Sequence, residues 1–265
     1  LKKLVLVLFA ALLPLLAADA PKIQTLIITG QNVHDWRGVE EPLRKALEAT
    51  GRFETRIVEE FRGAGPETLA PYDLVILNYY DKRKPELRWG ERADNALLEF
   101  VKSGKGLVVY HFALAAFDGW QDYEKICAGN WRPNNGQHSA AHDFKVEIKD
   151  DTHPVTRGLK KMFVQPKDEL YANLKWQPAD TYHVLATAWD DHSLYRNAKQ
   201  PTPGAGINEP MLWTTTWGKG RVFVTALGHD VPAVSTTPFI VTFTRGAEWA
   251  ATGAVTLPIP PEMAQ

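Results

Sequence analysis

The chain has 265 residues with 30 basic and 31 acidic side chains, and its net charge of −1 leaves no electrostatic footprint for nucleic acid or an anionic membrane surface. A composition 45% hydrophobic and 23% charged is that of a soluble globular chain long enough to bury a sizeable core. One cysteine, Cys127, excludes an internal disulfide, and its setting in DYEKICAGN reads as a small buried residue rather than a nucleophile.

Residues 1–20 read as a secretory signal peptide. Lys2 and Lys3 precede an apolar run from Leu4 to Leu16, and Ala17, Ala18 and Ala20 supply the small-residue exit. The run is shorter than the roughly 20 residues a membrane span needs. An exported, periplasmic protein without an integral span is the expectation, and an uncleaved N-terminal anchor is the alternative. Residues 21–265 then form a single domain.

IQTLIITG (23–30) is a β-branched run closed by glycine, the pattern of a strand buried on both faces. The polar segment QNVHDW follows, then helical spacing of Val39, Leu43, Ala46 and Leu47 up to Gly51. FETRIVEE (53–60) alternates as a second strand, and DLVILNYY (73–80) is a third, buried one. Arg88–Ser103 has helical spacing, and GLVVYHFA (106–113) is a fourth strand. This alternation predicts an open, mainly parallel sheet with helices on both faces. FKVEI (144–148) and HVLATAWD (183–190) read as further strands, HPVTRGL (153–159) as a turn, and residues 197–210 as a surface loop. MLWTTTWGKGRVFVTALGHD (211–230) reads as a C-terminal β-hairpin turning at Gly218-Lys219-Gly220, and Pro238–Ala251 as a last helix.

In such sheets ligands bind beyond the carboxyl ends of the strands. Loops 31–37, 79–87 and 111–122 therefore converge on one rim, which receives His34 and His111; His229 ends the hairpin at the same rim. Histidine suits acid–base work near neutrality. Asn32, Asp35 and Trp36 flank His34 in a binding-type turn. His111 takes the place where related architectures carry a nucleophile, and GLVVYHFALAAF offers neither Ser nor Cys there. His138 and His142 lie four apart; on a helix they would share one face and could grip a divalent ion, zinc or similar, with a third ligand from His111, Glu169 or His229. Glu169 is a candidate metal ligand or general base, and Tyr171 a proton donor or hydroxyl contact. His153, His183 and His192 read as structural or solvent-facing. No G-x-G-x-x-G, Walker loop or H-E-x-x-H occurs, so no nucleotide is expected.

LIITGQNVHDW, GLVVYHFA, HSAAHDFKVEI, HPVTRGL, PKDELY, WGKGRVF and LGHD, in this order, resemble the ThuA-like (trehalose-utilisation) family over residues 23 to 252. The resemblance implies a fold similar to flavodoxins and class I glutamine amidotransferases without their cysteine nucleophile, and a link to sugar catabolism. It also implies functional roles for Asn32, His34, Asp35, Trp36, His111, His138, His142, Glu169 and His229. The expected activity is acid–base chemistry on a sugar or keto-sugar derivative, as an isomerase, lyase or hydrolase, with His111, Glu169 and His229 as catalytic groups. Nine tryptophans also allow a non-catalytic sugar-binding protein. In either case the partner is a small carbohydrate; the sequence does not specify an oligomer.

Overall fold

The computed structural model describes residues 21–195 and 206–265. The leader and residues 197–205 of the expected surface loop lie outside the described residues. In chain order the elements are β1 (Ile23–Gly30), α1 (Trp36–Glu48), β2 (Phe53–Val58), α2 (Pro66–Leu69), β3 (Leu74–Tyr79), α3 (Glu91–Lys102), β4 (Gly106–Tyr110) and α4 (Gln121–Cys127). They continue with β5 (Gly129–Asn130), β6 (Gln137–His138), β7 (His142–Ile148), β8 (Met162–Asp168), β9 (Tyr171–Ala172) and β10 (Lys175–Trp176). The chain ends with β11 (Tyr182–Trp189), β12 (Asn208–Trp217), β13 (Gly220–Thr225), α5 (Val231–Val234) and α6 (Thr237–Thr252).

Among the described residues a nine-stranded sheet runs in the order β2-β1-β3-β4-β13-β12-β11-β7-β8. The first five of these run parallel, and each later neighbour is antiparallel. Side chains alternate across the parallel strands and feed two separate cores. Ile23 and Ile27 of β1 pack with Leu43 and Leu47 of α1 and with Phe239 and Phe243 of α6 on one face. Leu26 and Ile28 join Leu97 of α3 and Ile126 of α4 on the other. The helices thus cover both faces, as the buried strand runs predict. No helix among the described residues is long and apolar enough to cross a membrane.

The predicted hairpin is present as β12 and β13, and its place is central: β13 pairs in parallel with β4. One expectation is corrected: the 138–142 segment is not helical, because His138 ends the two-residue strand β6 and His142 begins β7. The stretch before Glu169 is strand β8, and Pro166 is tolerated because β8 is an edge strand.

The second layer presses closely on β13. A Cβ on Gly246 of α6 would lie 2.2 Å from the Phe223 ring, which is fully buried. Gly246→Ala should therefore cost about 1–3 kcal/mol by overpacking, read as a lowered midpoint in urea unfolding.

Candidate functional site

β1, β3, β4 and β13 deliver their carboxyl ends to one rim, and several residues there hold left-handed backbone without being glycine. They include Gln31 (φ 55°) after β1, Lys82 and Arg83 after β3, and His111 (φ 44°) after β4. Such strained positions persist only where the surroundings over-determine them, and they gather at ligand sites. His111 is thus set on the sharp turn that its position in the sequence suggested.

Two of the imidazoles, His111 and His34, are oriented by neighbours. His111 Nδ1 lies 2.7 Å from the Ala226 carbonyl, which can only accept, so Nδ1 carries the hydrogen and Nε2 receives the Tyr171 hydroxyl at 2.8 Å. Asn32 Oδ1 accepts from the His34 backbone N–H at 3.1 Å and lies 3.2 Å from His34 Nδ1, leaving His34 Nε2 for the site. Asn32 is itself buried and donates to Asn78 on β3 at 3.5 Å. It thereby orients the His34 ring.

Glu169 and His229 arrive from different parts of the chain and are fixed by one buried carboxylate. Asp168 Oδ1 accepts from the backbone N–H groups of Glu169 at 2.8 Å and His229 at 2.9 Å. Its Oδ2 accepts from the Gly228 backbone at 2.7 Å and from Gln165 Nε2 at 3.1 Å. Burial pushes Asp168 up to about 6 despite these donors. A carboxyl pKa raised by folding means that ionisation opposes folding, so the stability from this group declines as pH rises through about 6. Its charge serves position at the expense of stability.

The Glu169 carboxylate stands at the centre. Its Oε2 lies 3.0 Å from His229 Nδ1, 3.5 Å from His34 Nε2 and 3.8 Å from His111 Nε2, and its Oε1 lies 3.3 Å from His138 Nδ1. Burial opposes its charge, but the imidazoles of His229 and His34 above all hold it well below the usual carboxylate range. Glu169 raises His229 in return, while burial and then His34 push His111 well below its ordinary value and keep it neutral. The Glu169–His229 pair therefore stabilises the fold above the ordinary carboxylate range, and this contribution is lost as pH rises through the elevated His229 titration.

One ligand atom from each of His34, His111, His229 and Glu169 falls within 4.8 Å of the others. Tetrahedral zinc with bonds of about 2.0–2.1 Å spaces its ligands by about 3.3 Å, close to the separations around Glu169 Oε2. Glu169 Oε2 and His229 Nδ1 are moreover buried with no aligned hydrogen-bond partner, although they are near each other. These two unpartnered polar atoms lie in a group of side chains that could hold a divalent ion.

The structure thus brings together His34, His111, His138, His229, Glu169 and Tyr171. It keeps others apart. His142 Nδ1 meets the Ala140 carbonyl at 3.0 Å and Ser139 Oγ at 3.1 Å, and His142 stands outside the four-ligand group. The expected grip of His138 and His142 on one ion rested on a shared helical face that the strand geometry does not provide. Asp35 caps α1 by accepting from Gly38 N at 3.0 Å, and Trp36 is buried under the Arg37 guanidinium at 3.9 Å. Asp168 was not singled out by sequence; the available signal was an Asp-Glu pair at the end of a strand.

The fold and site define an α/β protein of the flavodoxin and glutamine amidotransferase type, with a histidine–carboxylate cluster at the strand ends. The chain belongs to the ThuA family, described as trehalose utilisation, whose profile matches residues 24–250. A ThuA-like protein from Parabacteroides merdae is 32% identical, with a TM-score of 0.79 over 92% of this chain and 95% of its own. A ThuA-like protein from Bacteroides uniformis is 18% identical, with a TM-score of 0.66 over 92% of this chain and 97% of its own. A protein called cytoplasmic from Salmonella typhimurium shares the fold at 12% identity and a TM-score of 0.58, over 86% of this chain and 98% of its own. No curated protein matches the sequence.

Two outcomes test the site's construction. Asp168→Ala should cost about 3 kcal/mol or more in urea unfolding, because two buried and one part-buried backbone N–H groups lose their acceptor. Glu169→Gln should lower the midpoint at which the His229 ring titrates by NMR, since Glu169 is the main cause of its elevation.

Proposed function

We propose that this chain is an enzyme acting on a sugar or keto-sugar derivative by acid–base chemistry at the histidine–carboxylate cluster, with a divalent cation of the zinc type held by His34, His111, His229 and Glu169. The observation that carries the reading is the convergence of three imidazole nitrogens and a carboxylate oxygen within 4.8 Å, two of these atoms being orphaned. The family's link to trehalose utilisation supports a carbohydrate substrate.

A cation there would supply Lewis-acid polarisation of a substrate oxygen. Two groups of the chain are suited to moving protons. Burial pushes the Tyr171 phenol well above its ordinary value, so it remains a donor. Were His111 Nε2 to serve as a ligand, the Tyr171 hydroxyl would be released from its 2.8 Å bond to that nitrogen and free to donate to a substrate oxygen. His138 is the more exposed imidazole at 39%, and its Nδ1 is occupied by the Ser139 carbonyl at 2.8 Å. Its Nε2 is then the proton acceptor, fit to remove a proton beside a carbonyl and exchange it with solvent. This division suits an isomerase and equally the first step of a lyase.

A serine route has little support. His142 Nδ1 faces the Ala140 carbonyl, must carry a hydrogen to bond it, and so cannot take the Ser139 proton through that nitrogen. The same proposal places this chemistry after export, on the strength of the Lys2–Ala20 leader pattern.

Metal analysis after equilibration with zinc should find one ion per chain. Glu169→Ala and His229→Ala should weaken zinc affinity by about 100-fold or more, and affinity should fall as pH drops because protons compete for the ligands. Tyr171→Phe should retain zinc yet lose turnover of a keto-sugar. Zinc binding unchanged in both ligand variants would end the metal reading; sugar binding without product in the zinc-loaded protein would make this a binding protein instead.

A further inference from the structure

The loop after β3 lines a second pocket on the same rim, open to solvent and bearing several charged side chains. Its volume is about 480 Å³, and Asp81, Arg83, Lys84, Arg88 and Asp118 line it. Asp81 is 1% exposed; its Oδ1 accepts from the Phe117 backbone at 3.0 Å, while its Oδ2 has no hydrogen-bond partner. The nearest cation, Arg88 Nη1, stands 3.7 Å from that oxygen and donates instead to the Asp118 carbonyl at 3.1 Å. Arg83 Nε is 3.4 Å from Asp118 Oδ2, an ion pair without a hydrogen bond, and Lys84 has no acidic partner among the described residues. Lys82 and Arg83 both hold left-handed backbone, with φ of 51° and 53°, and Phe117 at the facing turn has φ 55°. The wall is therefore fixed in a strained shape, as at ligand clamps.

These groups are complementary to a particular ligand chemistry. A buried carboxylate oxygen without a donor asks for a hydroxyl hydrogen. Three cations against two carboxylates leave a surplus positive charge, with guanidinium N–H groups free to grip an anionic oxygen. We infer that this cavity is a second binding site, for a hydroxyl-rich anion: a sugar carrying a carboxylate or phosphate. A hydroxyl donates to Asp81 Oδ2, and the anionic group accepts from Arg88 and Lys84. The site is tied to the histidine cluster through Phe112, whose ring lies 4.5 Å from the His34 ring and 4.8 Å from that of Tyr80, the residue before Asp81. The sugar part of the assignment rests on the carbohydrate reading above; the anion does not.

The test is calorimetric titration of the full chain with gluconate, glucose 6-phosphate, glucose and inorganic phosphate; it requires neither metal nor turnover. One sugar anion should saturate a single site at least about tenfold more tightly than glucose, gluconate identifying a carboxylate ligand and glucose 6-phosphate a phosphate. Lys84→Ala and Arg88→Gln should each weaken that binding about tenfold, the loss of one charge-assisted contact. Asp81→Asn should weaken the sugar anion but not inorganic phosphate, and His229→Ala should leave binding unchanged. Lys84 is exposed, so its variant keeps the fold and stands as the control if Asp81→Asn unfolds. Glucose binding as tightly as both anions, inorganic phosphate binding as tightly as the sugar anions, or binding lost in His229→Ala but kept in Lys84→Ala would each overturn the assignment. Absence of zinc binding with this titration intact would overturn the metal reading alone.

Discussion

Everything at the site depends on holding Glu169 against His229, and the sheet by itself would keep them apart. Glu169 follows the edge strand β8, and His229 follows β13, four positions away in the sheet. In a flat sheet that separation is on the order of 19 Å. The antiparallel half must therefore curl over the rim. Register shifts on β11 near Ala186 and on β7 between His142 and Phe144 supply local bends and extra twist. Asp168 then fastens the curled edge, taking backbone hydrogens from both segments into one carboxylate. The arrangement is an example of a buried charge retained for geometry, since its ionisation works against folding.

Once this closure is made, the electrostatics of the cluster follow. Four imidazoles surround a single carboxylate, and the contributions differ by depth. His111, fully enclosed, is neutral and anchored to a carbonyl; His138, at the mouth, reaches the other carboxylate oxygen. One residue type thus occupies both an enclosed and a solvent-facing position around the same carboxylate. The distinction comes from where each strand ends, not from the side chain.

The parallel half of the fold was legible because its strands are β-branched runs closed by turns, and a parallel topology fixes where their ends go. That is why His34, His111 and His229 could be placed at one rim from sequence. The antiparallel half was harder to read. The β8 run, MFVQPKD, contains Pro166 and lacks a clean pattern, and strands β5, β6, β9 and β10 are only two residues long. The four-residue spacing of His138 and His142 suggested a helix, but a turn between two strands puts the same spacing at unrelated directions. Glu169 was recognisable as a candidate ligand or base; its partners were not, because they depend on the bulges and on Asp168. Asn32 and Asp35 draw attention by their type, and each also makes a hydrogen bond to the backbone of its own turn.

The central position of β13 has a consequence for how the molecule comes to exist. Strands β1 to β4 are synthesised early, but the partner that covers the β4 edge is not made until residues 220–225. Until then a growing chain exposes the unpaired backbone of a buried, apolar strand, which invites pairing with other chains. The late strand also carries, just beyond its end, the histidine that completes the cluster. Closure of the sheet and assembly of the site are thus one long-range event, and a truncation before β13 would remove both together.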